Sequence, residues 1–326
     1  MANLLITTDC QRKCEYCFAQ ENRGSGEFIS WDNFMEAVSF ISTGPRAFNI
    51  LGGEPTLHPD FDKMLAYLLE KDFMIQVFTN GMIDDKKLND ITSVLNKIAL
   101  REGQLSFGVN INSEEYRTKE EDRLQKRFLD NMGHLAYLAF TIHEDTSLIF
   151  LKETAEKYYL DPTIRLGLAM PLCGNKNLNK YLPVSSYRPV AKRIIELAEN
   201  SEGITLMFDC GFPLCMFNMD ELGKLVKNEE NKFSFVCGVP LDIYPDLTVT
   251  NCYPLSRMHK NVIYNFASIM DAYKFFEEGF DSPEGIYGSR CTTCQFFKKS
   301  CQGGCKGFAE PGEADEPDTM EHRVGA

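Results

Sequence analysis

The placement of the twelve cysteines constrains this chain more than any other feature of its sequence. Eleven of them fall into two groups, three at the amino end and eight in the last third, and only Cys173 lies between the groups. Thiols in a reducing compartment hold metals more often than they form disulfides. The division therefore predicts two domains with separate metal chemistry. The expected metal ligands are Cys10, Cys14 and Cys17 in the first domain and Cys210, Cys215, Cys237, Cys252, Cys291, Cys294, Cys301 and Cys305 in the second.

Composition and charge narrow the class of protein. The chain has 326 residues, of which 44% are hydrophobic and 25% charged, and these values are ordinary for a globular protein. The net charge of −13 argues against a nucleic-acid partner, because a phosphate backbone needs a basic face. We find no apolar run of about 18 residues and no basic signal segment at the start. We therefore expect a cytoplasmic protein with no membrane partner.

Short apolar runs alternate with helical stripes up to about residue 208. Ser30 has the position of a helix N-cap, and further helices are expected over 119–133, 147–159 and from Pro189 to Asn200. Strands that alternate with helices predict a parallel sheet. The strand-like runs are 3–9, 48–51, 74–78, 105–111, 137–142, 164–170 and 204–208.

The alternation predicts an α/β fold, a partial (β/α)6 TIM-like barrel over residues 1–205. A small cysteine-rich domain is expected over 206–309, and the acidic segment 310–326 is expected to be a disordered tail. In parallel α/β folds the chemistry lies at the carboxyl ends of the strands. The residues that follow or end the predicted strands, and would meet there, are Cys10, Gly52, Gly53, Glu54, Asn80, Asn110, His143 and Met170.

The first cysteine group has the spacing C-x3-C-x2-C, with Tyr16 just before the third cysteine. Three thiolates suit three irons of a [4Fe–4S] cluster and leave the fourth iron open. A structural zinc site needs a fourth ligand, and none follows nearby. Zinc or a chance spacing is the alternative interpretation.

Residues 10–17 resemble the hallmark of the radical SAM superfamily, C-x3-C-x-aromatic-C after the first strand. The resemblance implies an enzyme in which S-adenosylmethionine (SAM) binds the open iron. Reductive cleavage, with an electron from a donor such as flavodoxin or ferredoxin, then gives a 5′-deoxyadenosyl radical that abstracts a substrate hydrogen. Tyr16 matches the aromatic position near the adenine.

The run Gly52-Gly53-Glu54-Pro55 matches the GGEP motif of the same superfamily. The resemblance implies that Glu54 accepts hydrogen bonds from the SAM ammonium group. By their places on later strands, Asn80, Asn110 and Arg165 are further candidates for contacts with SAM. A plain turn at Asn80 and ordinary polar strand residues at the other two positions are the alternatives.

The C-terminal cysteines resemble the SPASM extension of radical SAM enzymes, which carries auxiliary [4Fe–4S] clusters. The chain departs from that pattern, because Leu247 replaces a glycine and no cysteine follows Cys305. Eight cysteines suffice for two four-ligand clusters, and one cluster plus zinc or free thiols is the alternative. The resemblance implies one set with Cys237, Cys252 and Cys305 and another with Cys291, Cys294 and Cys301, each completed from Cys210 and Cys215.

The resemblance implies modification of a peptide or protein, as in maturases of ribosomally made peptides. The chain starts directly at the first strand, so a separate peptide-recognition protein is an expected partner. Oxidation, decarboxylation or epimerisation of a small molecule is the alternative, and a non-catalytic iron–sulfur or zinc protein is the third. No catalytic residue is assigned; the candidates are Tyr253, where sulfatase-maturing relatives carry an Asp, and Cys173, as a hydrogen donor.

Overall fold

The computed structural model describes residues 1–22, 24, 26–113, 116–144, 146–238, 240–278 and 285–308. The predicted acidic tail, residues 310–326, lies outside the described residues. Across the part of the chain that is described, no helix is long and apolar enough to cross a bilayer.

A single ten-stranded sheet organises the chain, in the order β10-β9-β8-β1-β2-β3-β4-β5-β6-β7. The pairs from β8 through β1 to β7 are parallel, and β8-β9-β10 is antiparallel. The strands are β1 Ala2–Leu5, β2 Ala47–Leu51, β3 Met74–Thr79, β4 Leu105–Asn110, β5 Ala136–Ile142, β6 Thr163–Leu168, β7 Thr205–Phe208, β8 Leu241–Ile243, β9 Thr248–Thr250 and β10 Lys260–Val262. This order confirms the predicted α/β fold with a parallel sheet.

Helices connect most of the parallel strands. The predicted cap at Ser30 is confirmed, since its side chain accepts a hydrogen bond from the Asn33 amide at 3.1 Å. The helices are α1 Trp31–Ile41, α2 Phe61–Glu70, α3 Asp85–Leu95, α4 Lys119–Met132, α5 Ile149–Lys157, α6 Tyr187–Asn200, α7 Met219–Lys227, α8 Ile269–Glu278 and α9 Ser289–Thr292. Four of them, α3, α7, α8 and α9, were not anticipated from the sequence.

Successive residues of a strand face opposite sides of the sheet. On β1, Leu4 is buried in the large hydrophobic core cluster. Its neighbour Asn3 lies on the opposite face of the sheet, in a row of hydrogen-bonded polar side chains. Asn3 donates to Asp242 on β8 at 2.6 Å and accepts from Asn49 on β2 at 2.7 Å. The C-terminal region therefore joins the sheet beside β1, and β7 begins at the last residue of the predicted first domain. The boundary at 205/206 stays a prediction.

Candidate active site

The amino-terminal cysteines lie in the loop that follows β1. The amide of Cys17 donates to the carbonyl of Cys14 at 3.2 Å, which turns the loop so that the thiols approach one another. Burial raises the pKa of Cys10 to about 11, and the charges of Glu54, Cys14 and Cys17 add to the rise. Three thiols that share one half-buried space fit the ligand set of an iron–sulfur cluster.

The turn at Gly52 and Gly53 is hydrogen-bonded to the backbone that leads into the same loop. The amide of Gly53 donates to the Thr7 carbonyl at 3.0 Å, and the amide of Glu54 donates to the Asp9 carbonyl at 2.7 Å. A Cβ on Gly52 would lie 2.6 Å from the Thr7 oxygen, and one on Gly53 would collide with the carbonyl of Asp9. Glycine is required here because the turn packs directly on the backbone that leads to Cys10.

The Glu54 carboxylate is fully buried and bonded within the protein. Its Oε1 accepts from the Thr56 hydroxyl at 2.6 Å and the Thr79 hydroxyl at 2.8 Å, and its Oε2 accepts from the Asn80 amide at 2.7 Å. Burial raises its pKa, and these hydrogen bonds oppose the rise. Glu54 thereby holds the turn against the end of β3, and its predicted contact with the SAM ammonium stays a prediction.

Asn80 lies beside the first cysteine. Its side-chain amide is 3.8 Å from Cys10 Sγ and 3.3 Å from Gln11 Oε1, while its Oδ1 accepts from the Met82 amide at 2.8 Å. The last bond forms an Asx turn, which fixes the side chain. Asn80 is therefore placed to donate to a thiolate at Cys10.

Tyr16 and His143 form an aromatic pair at the carboxyl edge of the sheet. Their ring centroids are 4.2 Å apart, and the Tyr16 hydroxyl lies 3.4 Å from Asn112 Oδ1. His143 Nε2 lies 2.9 Å from the Glu144 carboxylate. An open pocket of about 570 Å³ adjoins this pair, and it is lined by Glu15, Gln20, His143, Lys176, Asn177, Leu178, Asn179, Lys180 and Tyr181.

Arg165 and Asn110 have polar partners on neighbouring parts of the sheet. Arg165 donates to Asp209 Oδ1 at 3.0 Å, and its guanidinium lies 4.5 Å from the centre of the Phe78 ring. Burial alone would lower the pKa of Arg165, but its interactions with Asp209 and Tyr137 together outweigh burial and raise that pKa. Asn110 donates from Nδ2 to Thr141 at 3.4 Å. Contacts of either residue with SAM stay predictions.

Four of the C-terminal thiols form a first auxiliary group around Cys210. The Cys210 thiol shares a hydrogen bond with Cys237, and a Cβ on the adjacent Gly211 would lie 3.4 Å from the Cβ of Cys305. Burial, followed by the charge of Cys305, raises the pKa of Cys252. We call this set, Cys210, Cys237, Cys252 and Cys305, the inner thiol group.

The other four thiols gather around Cys215. The amide of Leu214 donates to Cys301 Sγ at 3.4 Å, and Gly303 donates to the same sulfur at 3.3 Å. Burial, followed by the charges of Cys301, Cys291 and Cys294, raises the pKa of Cys215 to about 12. We call the set Cys215, Cys291, Cys294 and Cys301 the outer thiol group. The structure thus separates Cys210 from Cys215, which the sequence left open.

Each thiol group has the four cysteines that a [4Fe–4S] cluster takes as ligands. In the described ranges, no three or more His, Cys, Asp or Glu side chains are arranged to hold one metal ion. A [4Fe–4S] cluster takes one thiolate on each of four irons, so its ligands surround a larger body than one ion.

The two catalytic candidates are both buried. Tyr253 stacks on Phe18 with ring centroids 4.9 Å apart, and its amide donates to Asp242. Cys173 Sγ lies 3.3 Å from the Met258 sulfur, and the Cys173 amide donates to the Pro254 carbonyl at 2.9 Å. The structure gives both residues packing roles, and a catalytic role for either stays a prediction.

Sequence reasoning missed Arg12, which lies between Cys10 and Cys14. Its side chain is only 7% exposed and forms an ion pair with Glu121 on α4. Its neighbours Gln11 and Lys13 are exposed, so nothing in the local charge pattern singles it out. Arg12 and Lys13 are both basic residues of the loop, and the sequence does not show which of the two is buried.

Together, the mostly parallel sheet and the cysteine loop that follows β1 define the class of fold as α/β, with a thiol-bearing site at one edge of the sheet. Residues 4–159 match the Radical SAM superfamily, so this part of the chain is a radical SAM domain and the protein is an enzyme. That family implies a [4Fe–4S] cluster and SAM as cofactors.

One relative is similar to this chain over part of its sequence, and two solved structures share its fold. A SAM-dependent nucleotide dehydratase of Selenomonas ruminantium is 33% identical over 82 residues, or 25% of this chain and 30% of the relative. The match thus spans under a third of that protein. Streptococcus suis SuiB bound to SAM superposes with a TM-score of 0.64 at 16% identity, covering 94% of this chain and 72% of SuiB. SuiB is also known bound to its precursor peptide SuiA. AdoMet-bound anSMEcpe superposes with a TM-score of 0.65 at 15% identity, and the match covers 96% of this chain and 92% of anSMEcpe.

Proposed function

We propose that this protein is a SPASM-type radical SAM enzyme that cleaves SAM reductively and abstracts a hydrogen from a peptide or protein side chain. The observation that carries the proposal is the position of Cys10, Cys14 and Cys17, which share one half-buried space beside the Glu54 turn. The likeness of nearly the whole chain to SuiB and anSMEcpe supports it.

Each residue of the site has a distinct task in this proposal. Cys10, Cys14 and Cys17 would hold the cluster, which with SAM supplies an electron and a 5′-deoxyadenosyl radical. Asn80 would donate a hydrogen bond to the Cys10 thiolate. The buried Glu54 would fix the Gly52–Glu54 turn, whose backbone adjoins the cysteine loop, and Tyr16 would line the adenine pocket.

The auxiliary clusters are part of the same proposal. We assign one [4Fe–4S] cluster to the inner thiol group and another to the outer thiol group. Support comes from the hydrogen bond between Cys210 and Cys237 and from the effects of neighbouring thiols on the pKa values of Cys252 and Cys215. One or two clusters of this kind would relay electrons in the domain over 206–309, while the barrel over 1–205 would carry the radical chemistry.

The proposal of a peptide substrate is supported by the likeness to SuiB, which is known with a bound precursor peptide, and the open pocket beside Tyr16 is the proposed place for it. An external electron donor such as flavodoxin or ferredoxin would supply the first electron. A separate peptide-recognition protein is a further proposed partner, and the cytoplasm is the proposed location.

A small-molecule substrate is the second candidate. The dehydratase of Selenomonas ruminantium is named for a nucleotide, and its likeness to this chain lies in an 82-residue segment. Oxidation, decarboxylation or epimerisation of a small molecule would use the same radical step on a different substrate.

The first experiment measures SAM cleavage. The anaerobically reconstituted protein, given dithionite and SAM, should release 5′-deoxyadenosine and methionine in equal amounts. Cys14→Ala should abolish both products, whereas Lys13→Ala, an exposed neighbour in the same loop, should retain them. Undiminished 5′-deoxyadenosine from Cys14→Ala would refute the proposal.

The substrate experiment follows the abstracted hydrogen. Short peptides encoded beside the gene, and separately nucleoside triphosphates, would be supplied with deuterium at carbon. Deuterium in the released 5′-deoxyadenosine identifies the class that gives up the hydrogen. Transfer from a nucleotide and not from any peptide would replace the leading substrate class with the alternative.

A further inference from the structure

A buried ion pair connects the cysteine loop with helix α4. Arg12 is the buried residue of the Cys10–Cys14 segment, whereas Gln11 and Lys13 on either side are exposed. Its guanidinium pairs with the Glu121 carboxylate, and both side chains are only 7% exposed. A buried pair of this kind leaves an uncompensated charge when one partner is removed. The position of Arg12 is therefore fixed by electrostatics as well as by packing.

The same guanidinium holds the carboxyl ends of two strands. Its Nη1 donates to the carbonyl of Asn110, the last residue of β4, at 2.9 Å. Its Nη2 lies 3.5 Å from the carbonyl of Asn80, which follows the last residue of β3. The planar fork of an arginine can hold several acceptors at once, which a lysine ammonium does not do in a fixed geometry.

Helix α4 completes the arrangement from the opposite side. Thr118 caps this helix and Glu121 lies in its first turn. One turn later, the side-chain amide of Gln125 donates to the Asn80 carbonyl at 2.6 Å and approaches the Asn110 carbonyl at 3.4 Å. The two strand ends are therefore held between the cysteine loop and α4.

Asn80 extends this connection to the Gly52–Glu54 turn. Its carbonyl accepts from Arg12 and Gln125, while its amide donates to Glu54 Oε2 at 2.7 Å. Its side chain approaches Cys10 Sγ at 3.8 Å. One residue thus joins the buried ion pair, the Glu54 turn and the first cysteine.

We propose that Arg12, paired with Glu121, is a positioning residue that sets the cysteine loop at the correct place relative to the strand ends that receive SAM. Arg12 would touch neither cluster nor SAM, and would act through Asn80 and Asn110. The inference rests on the proposed function, because it needs an amino-terminal cluster with an open iron. Without the pair, the three thiols would still hold iron, but SAM would meet the cluster in a poorer position.

The test compares variants that change the charge of Arg12 and the planar shape of its guanidinium group separately. Arg12→Gln with Glu121→Gln removes both charges, so that no buried charge is left unpaired. Arg12→Lys keeps the charge and loses the planar fork. Lys13→Gln is the matched control, because it removes a positive charge from the exposed neighbour in the same loop.

The readout is the electron paramagnetic resonance spectrum of the reduced protein during a SAM titration. Only a cluster with an open iron changes its signal when SAM binds, so the auxiliary clusters do not interfere. We expect wild-type iron content in all variants and a SAM midpoint raised at least tenfold in Arg12→Gln/Glu121→Gln. Arg12→Lys should give an intermediate shift, and Lys13→Gln should match the wild type.

Two results would overturn the inference. One is a wild-type SAM midpoint in the double variant, and the other is loss of amino-terminal iron, which would make the pair an assembly element rather than a positioning one. Failure of the proposed function would look different, because the wild-type protein itself would then show no SAM-dependent signal.

Discussion

The rings of Phe18 and Tyr253 stack with centroids 4.9 Å apart and an angle of 27° between their planes. Each residue directly follows a cysteine, Cys17 in the amino-terminal loop and Cys252 in the inner thiol group. The stack therefore joins the two cysteine-bearing regions by side-chain packing. The pair also packs with Leu5 and Leu172, which makes this contact part of a small separate core.

This stack predicts a graded loss of stability at position 253. Tyr253→Ala should lower the free energy of unfolding by about 3–5 kcal/mol, because it removes a buried ring and leaves a cavity. Tyr253→Phe keeps the ring and should cost less than half as much. Anaerobic urea unfolding measures both values. Equal losses in the two variants would show that the hydroxyl, and not the stack, is the source.

The assignment of thiols to the inner and outer groups predicts that Cys210 and Cys215 support different clusters. Each Cys→Ser variant should lose up to about four irons per chain, and the two should remove different auxiliary signals from the reduced spectrum. The double variant should remove both, while the SAM-dependent signal of the amino-terminal cluster persists. Loss of the same signal from both single variants would contradict the division.

Asp242 predicts a specific dependence of stability on pH. Burial raises the pKa of its carboxyl group from 3.8 to about 6, although Asn3 and the Tyr253 amide donate to it. The folded state therefore keeps a proton that the unfolded chain releases between these values. The resulting stabilisation is present at low pH and disappears as the pH rises through about 6.

Asp242→Asn should remove that dependence. Between pH 4.5 and pH 7, the fall in unfolding free energy should be smaller in the variant by about 2 kcal/mol. Urea titrations across this range compare the two slopes. Parallel slopes would mean that Asp242 does not hold the extra proton.

A substitution at Gly53 should disturb the turn beside the cysteine loop without unfolding the whole protein. A methyl group there would collide with the carbonyl of Asp9, so Gly53→Ala should displace the turn from the cysteine loop. SAM cleavage should fall at least tenfold in the 5′-deoxyadenosine assay. The control is Gly223→Ala on α7, where an added Cβ meets nothing within 4 Å. That variant should keep its activity and gain about 0.5–1 kcal/mol of stability.

The sequence predicts those parts of the fold that depend on local patterns. The alternation of strands and helices up to residue 208 and the cap at Ser30 are local, and the structure confirms them. Helix α3 was missed because its pattern is weak: within Asp85–Leu95 only Leu88 and Ile91 are buried. The pairing of β8 with β1 depends on the register between strands far apart in sequence, which no local pattern records.

The candidate site likewise has one part that the sequence predicts and one part that it does not. The cysteine loop and the Gly52–Glu54 turn can be predicted from the sequence, because each needs particular residue types at fixed intervals. The division of Cys210 from Cys215 and the contacts of Arg12 arise only when distant segments meet. Arg165 illustrates the limit, since its position on β6 was predicted but its partner, Asp209, lies on a neighbouring segment of the fold.

The place of β8 in the sheet also bears on how the protein is made. β1 is synthesised well before β8, yet Ala2 pairs with Leu241, so one edge of β1 stays unpaired until residues 241–243 have been made. An unpaired strand edge is open to wrong partners, and contacts between distant residues form slowly. The edge of β1 that pairs with β8 is therefore open to incorrect pairing until β8 has been synthesised. We infer that a truncated chain lacking residues 241–243 would be recovered mainly as aggregate.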